Sequence, residues 1–293
     1  MKREKKPGID FIPSAIITAD WHLRDDVPIC RDDDFETEQW KKVQFVSDLQ
    51  RKYNVPVIHA GDLFHHWKPS PYLLSKCLQY LPNEFMTVFG NHDLPQHSME
   101  LAYKSGVWTL LEAGRIKVIN GGHWEGQETG VLAINDRKIM VQHVMTFVGN
   151  NPWPGCTDKP AHELLESVDC DLLITGHNHK TFTHRSTDGK ILINPGSLTR
   201  QTADQHEHEP VLFLYDAQNH DIKEVMIPHS KKVITRSHLE EAKQWDSRIT
   251  AFVENLDKEW QGGANFEQVL ESYIQQNELD ENVIKIIKSV VYE

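Results

Sequence analysis

Five short runs in this 293-residue sequence combine imidazoles and carboxylates at spacings suited to holding metal: Asp20-Trp21-His22, Gly61-Asp62, Gly90-Asn91-His92-Asp93, the lone His143, and Gly176-His177-Asn178-His179. The donors are imidazole nitrogen and carboxylate oxygen, with one amide and no thiolate. Such a set suits borderline or hard divalent ions such as Mn²⁺, Fe²⁺ or Zn²⁺. Asp20, His22, Asp62, Asn91, His143, His177 and His179 are too many ligands for one four-coordinate ion and about right for two ions that share a carboxylate. Two ions roughly 3.5–4 Å apart engage phosphate oxygens and lower the pKa of water, so that a hydroxide nucleophile exists near neutral pH. The chemistry implied is in-line hydrolysis of a phosphate ester.

Each run alone is a weak signal, because Asp-x-His and Gly-His-x-His also arise in loops and cores. The order and placement of the whole set are specific. Each run follows an apolar stretch that reads as a strand, which is what a site at one edge of a sheet requires. Gly61, Gly90 and Gly176 each precede a candidate ligand, where a missing Cβ lets the backbone turn sharply.

The elements that must position these runs alternate short apolar stretches with amphipathic ones, the pattern of layered α/β structure. SAIITAD, NVPVIHAGD and EFMTVFGNHD read as strands. Val43, Val46, Leu49 and Tyr53 lie at helical spacing after an acidic start from Asp32 to Glu38, and residues 71–81 form a second helical stretch. From Arg115 onward RIKVING, TGVLAIN, KIMVQHVM, CDLLITGH, KILINPGS, PVLFLYD and IKEVMI suggest a second sheet packed on the first. The expected fold class is α/β: a two-sheet β-sandwich flanked by helices, with a small C-terminal helical element. The domain boundaries follow as residues 1–236 for the catalytic domain and 237–293 for the extension. Within the extension, 238–260 and 265–291 read as helices parted by Gly262 and Gly263. The stripe Leu270, Ile274, Val283, Ile287 and Val290 either packs on the main domain or offers a partner-binding face.

Composition narrows the class. Net charge is −12, of which −7 lies in residues 237–293, and this argues against a sequence-independent nucleic-acid coat. Cys30, Cys77, Cys156 and Cys170 show no Cys-x-x-Cys spacing and read as free thiols in a reducing cytoplasm. The opening MKREKK resembles a signal n-region, but the stretch after it contains Pro13 and runs into Asp20, so it reads as a first core strand. No apolar run approaches the roughly 18 residues of a membrane span. The expectation is a cytoplasmic protein with no membrane association.

The ordered set resembles the calcineurin-like metallophosphoesterase superfamily over residues 14–215, about two-thirds of the chain. That resemblance implies the metallophosphoesterase fold. It makes Asp20, His22 and His179 ligands of a first ion, Asn91, His143 and His177 ligands of a second, and Asp62 the bridge. The cofactors implied are two divalent ions, Mn²⁺ foremost, with Fe²⁺ or Zn²⁺ as alternatives. A metal-bridging hydroxide attacks phosphorus while His92 assists at the leaving oxygen, and Asp93 orients that imidazole. HAGDLFH followed by KPSP, together with NPGSLTR, is similar to the SbcD-type nuclease branch. This makes His65 a phosphate contact and places Arg200 near the site as a phosphate clamp. DNA is then the substrate, an SbcC-like coiled-coil ATPase a possible partner, and a homodimer a possible assembly. The chain departs from that branch in its shortness, which leaves little room for a DNA-capping domain, and in its acidic tail.

Other residues invite plainer readings. His59 reads as a core residue, His66 as a loop histidine, and His206 and His208 as a solvated loop. Trp67 and Trp153 read as packing rather than base-stacking residues, and Arg24, Lys68 and Lys180 as surface charge. Two competing functions stand beside the nuclease. One is a small-molecule phosphoesterase on nucleotides, cyclic nucleotides or phosphomonoesters. The other is a metal-site scaffold without turnover, which the filled ligand positions and His92 disfavour.

Overall fold

Along the central strands, alternate side chains enter different cores. In β1 (Ala15–Thr18), Ile16 packs toward the helices while Ala15 and Ile17 face the opposite layer. In β2 (Val57–His59), Val57 and Ile58 divide the same way. Both faces are covered, which is why these strands are apolar throughout. The structure is a computed structural model, describing residues 11–126, 128, 130–237, 270–271, 274–275, 279 and 281–292.

Helix α1 (Phe35–Tyr53) follows β1 and α2 (Pro71–Tyr80) follows β2. The Asp34 carboxylate caps α1 by accepting from the Thr37 amide at 3.1 Å, and Ser70 caps α2 at the Leu73 amide. Acidic Glu36 and Glu38 in the first turn of α1 and basic Arg51 and Lys52 in the last suit the helix dipole. The chain continues through β3 (Phe85–Thr87), α3 (Gly106–Glu112) and β4 (Lys117–Val118), then β5 (Gly130–Ile134), β6 (Arg137–His143) and α4 (Ala161–Glu166). It closes with β7 (Leu172–Gly176), β8 (Phe182–Arg185), β9 (Ile191–Asn194), β10 (Val211–Asp216) and β11 (Asp221–Met226).

The first sheet has the order β11-β10-β1-β2-β3-β4 and the second β5-β6-β7-β9-β8. Ile139, Val141, Ile174 and Ile193 of the second sheet meet Ile17, Ile58 and Phe213 of the first, and Met140, Leu173 and Leu192 point outward to α4. The layers are therefore helices, sheet, sheet, helix. Two details differ from the sequence expectation. β4, β10 and β11 belong to the first sheet, β10 pairing antiparallel to β1 through Ile17 and Phe213. Apolar alternation marks a strand but not its partner, and burying the far edge of β1 decides this one. β8, α3 and α4 have only weak apolar patterns; β8 is an edge strand of intermediate and exposed residues.

Contacts divide the chain into two compact units, Met1–Thr235 and Arg236–Glu293. In the second, α5 (Glu281–Tyr292) is helical and Leu270 is buried. The expected helix over 238–260 and the Gly262–Gly263 break lie outside the described residues. No helix among the described residues is long and apolar enough to cross a membrane. The four cysteines are free, three of them buried.

Lys42 on α1 is buried with one long hydrogen bond, 3.5 Å to the Pro228 carbonyl. Burial lowers its pKa to about 8, with Arg200 and Arg31 adding to the shift against Glu38. Because the folded chain holds this proton less tightly than the unfolded one, the cost is full below about pH 8 and fades toward pH 10.5. Lys42→Met should stabilise the fold at pH 7 by on the order of 3 kcal/mol at most, with the gain shrinking as pH rises to 10.5. Urea denaturation at pH 7 and pH 10 checks both the sign and the trend.

Candidate metal centre

The parallel strands β1, β2 and β3 end on one edge of their sheet, β6 and β7 end on one edge of the other, and the five motifs leave from these ends. The backbone turns abruptly there. Asp20, His22, Asp62 and His177 all adopt positive φ, between 45° and 82°, which non-glycine residues seldom do. Gly61 has φ of +92°, and a Cβ on Gly90 would stand 2.0 Å from Asp62 Oδ1, so these positions admit no side chain.

The turns bring the side chains into two adjoining groups, Asp20–His22–His179 and Asp62–His143–His177, the ligand atoms of each lying within 4.8 Å of one another. Asp62 joins them. Its Oδ1 accepts the His92 amide at 2.9 Å, while its Oδ2 lies 3.5 Å from His22 Nε2 and 3.3 Å from His143 Nε2. Asn91 Oδ1 stands 3.1 Å from His143 Nε2 and 3.0 Å from His177 Nδ1. His22 Nε2 and His179 Nε2 face each other at 3.0 Å. Both Asp20 oxygens accept the His177 amide.

This donor set fits divalent cations. His143 Nδ1 lies 2.7 Å from the Ala60 carbonyl and donates its proton there, so Nε2 turns a lone pair toward two oxygens. Lone pairs so placed are stable only with positive charge between them, either protons or metal. The side chains respond as such a cage should. Burial raises Asp20 to about 8, although His143 acts to lower it. Burial would lower His143, but Asp62 and its hydrogen bond raise it to about 9. Asp62 is held low by His143 despite its burial. Burial also brings His177 and His179 down to about 4, leaving them neutral, as ligands must be.

Among the remaining expected site residues, His65 and His92 reach the rim, and with His22 they form a third histidine group. Their rings lie 5.4 Å apart, and His92 is 4.7 Å from His22. Asp93 does not touch the His92 imidazole. Its carboxylate accepts the amides of Leu63, Phe64 and Gly90, while His92 Nδ1 is held at 2.7 Å by the His65 carbonyl. Asp93 therefore shapes the backbone around Asp62 and orients no ring. Arg200 is no clamp at the site either. It is buried, and its guanidinium donates to the carbonyls of His206, Ser230 and Lys231.

Trp124 was missed. Its ring lies 4.7 Å from that of His177, tilted 34°, and 6.0 Å from that of His143. Its amide donates to the Phe89 carbonyl and the Phe89 amide donates to His123 Nδ1, which fastens this loop to the one bearing Asn91. An aromatic residue directly after Gly121-Gly122-His123 was the available signal. His59, by contrast, is core, its Nδ1 2.8 Å from Thr87 Oγ1, and His66 is exposed.

A two-sheet sandwich with a His/Asp cage on one edge is the plan of a metallophosphoesterase. The sequence profile of the calcineurin-like phosphoesterase superfamily domain matches residues 14–219, and the chain belongs to this superfamily. Matching solved structures include Vps29 from Cryptosporidium parvum, at 20% identity and TM-score 0.38, covering 76% of this chain and 100% of that one. Vps29 from Entamoeba histolytica, complexed with zinc, matches at 17% and 0.33, covering 73% and 99%. A metallophosphoesterase from Sphaerobacter thermophilus matches at 13% and 0.38, covering 87% and 96%. No curated protein matches the chain.

Two outcomes are expected of the cage. Trp124→Ala should weaken Mn²⁺ binding about tenfold, with Trp124→Phe closer to the parent, in competition with a chelating dye. Because Asp20 and His143 hold their protons up to about 8 and about 9, cation uptake must displace protons, and affinity should fall as pH drops through that range. Calorimetry in buffers of different ionisation enthalpy measures the release.

Proposed function

We propose that the chain is a dinuclear-metal phosphodiesterase that cleaves DNA, a nuclease of SbcD type. The observation behind this reading is Asp62 Oδ2, approached by His22 Nε2 from one ligand group and His143 Nε2 from the other. Asp20, His22 and His179 would hold one ion, Asn91, His143 and His177 the second, and Asp62 both. A bound pair would polarise the phosphoryl oxygens and supply a hydroxide nucleophile at neutral pH.

The chain's own residues do the rest. His92 keeps Nδ1 bonded to the His65 carbonyl, which leaves Nε2 as the ring atom that can give a proton to the leaving oxygen. His65 flanks it, with burial and then Arg24 lowering its pKa to about 4, so at neutral pH it meets a phosphate as an uncharged donor. Asp93 fixes the amides of Leu63, Phe64 and Gly90 and thereby the turns that present Asp62 and Asn91. SbcD-like HAGDLFH, with His65 at the rim beside His92, favours a strand of DNA over a free nucleotide.

The test uses protein loaded with Mn²⁺ and offered 3′-labelled DNA, bis(p-nitrophenyl) phosphate and p-nitrophenyl phosphate. Cleavage of DNA and of the diester, abolished by a chelator and restored by Mn²⁺, is the expected result. Turnover of the monoester alone would overturn it. His92→Ala should bind the same metal, read by elemental analysis, and lose about 10²–10⁴ of the rate. Full activity in that variant would remove His92 from the mechanism.

A further inference from the structure

With Arg200 buried against backbone carbonyls, another arginine, Arg24, stands close enough to the site to act on His65. Arg24 follows the His22 turn by two residues. Its Nη1 donates to Gln201 Oε1 at 3.3 Å, and Gln201 Nε2 donates to the His22 carbonyl at 2.8 Å and to Thr199 Oγ1 at 2.7 Å. The Arg24 amide and carbonyl are both taken by the Gln39 side chain, at 3.2 and 2.8 Å. The backbone is thus held by Gln39 and the guanidinium by Gln201, and only 15% of the side chain is exposed. Its charge acts on His65, the rim histidine beside His92. Asp26, 70% exposed, pairs with its guanidinium through Nε at 2.9 Å and through Nη2.

We infer that Arg24 is the residue that binds the phosphate neighbouring the scissile one, and so selects a polynucleotide strand over an isolated diester. The inference rests on the nuclease reading above. Arg24 is joined to the cage through Gln201 and the His22 backbone, and its guanidinium bonds Gln201 and Asp26 rather than a candidate ligand. The anion it meets is therefore the next one along the strand. A planar guanidinium already oriented by Gln201, on a backbone held by Gln39, is suited to fork-like recognition of phosphate oxygens. Asp26 is a place-holder for that anion. A carboxylate so exposed contributes little as an ion pair, and a strand phosphate displaces it at small cost. In a chain of net charge −12, a preorganised cation beside the site gives strand binding a local electrostatic attraction.

Binding and turnover are measured separately. Binding of a 3′-fluorescein oligothymidylate, with Ca²⁺ in place of Mn²⁺, is read by anisotropy over a range of salt. Arg24→Ala should weaken binding about tenfold and flatten the salt dependence by about one phosphate contact. Arg24→Lys should recover part of the loss, and Asp26→Asn should tighten binding. With Mn²⁺, the loss of kcat/KM in Arg24→Ala should be at least about tenfold larger on the oligonucleotide than on bis(p-nitrophenyl) phosphate, and mainly in KM. Parental binding by Arg24→Ala, or equal losses on both substrates, would overturn the assignment. Failure of the parent protein to cleave any phosphodiester would instead overturn the nuclease reading, leaving the binding comparison to judge Arg24.

Discussion

Two imidazole nitrogens from different loops aim at one buried carboxylate oxygen, Asp62 Oδ2. Asp20, Asp62 and Asp93 are all at most 1% exposed, and burying so much negative charge is costly unless cations answer it. Every other feature of the edge serves this convergence. The His92 amide takes the second Asp62 oxygen, the Ala60 carbonyl fixes the His143 tautomer, and the His177 amide anchors Asp20. The cage is thus oriented by backbone groups, which side-chain motion cannot disturb.

Such a cage has a conformational cost that the sandwich must offset. Four of the seven candidate ligands sit in the left-handed region, each disfavoured by on the order of 1 kcal/mol or more. They persist because the strands before them are locked on both faces by Ile16, Ile17, Val57, Ile58, Val141 and Ile174, all wholly buried. Asp93 adds a polar lock from within by gathering three amides of the Asp62 and Gly90 turns.

Buried cations away from the cage have a different task. Arg200 gathers three carbonyls from residues 206–231, Arg31 Nη1 donates to the Arg200 carbonyl, and Lys42 reaches Pro228. Together they bind the segment after β11 to α1 and to the loops around Arg31 and Arg200. Charge in this region holds chain to chain through backbone carbonyls, whereas Arg24 beside the site pairs with the exposed carboxylate of Asp26.

Much of this was legible in the residues themselves. The candidate donors, their order and the strand before each follow from local rules: apolar alternation, a small residue at the turn, a donor next to it. So does α1, whose caps and charged ends are local chemistry. What local rules could not decide are matters of partner and direction. NPGSLTR places Arg200 in the neighbourhood of the cage, yet only the path of residues 206–231 turns its guanidinium inward. Asp93 adjoins His92 in sequence, but the intervening turn sends the two side chains apart, so the His65 carbonyl holds the ring. Trp124 lies 53 residues from His177 and Gln201 lies 177 from Arg24, separations over which no periodicity carries information. β10 returns to β1 because that edge must be covered, a demand of the assembled core rather than of either strand. The sequence alone therefore determined which groups could do chemistry and on which strand ends they stand. The tertiary structure decided which of them face one another, because facing depends on backbone direction at turns and on contacts between segments remote in the chain.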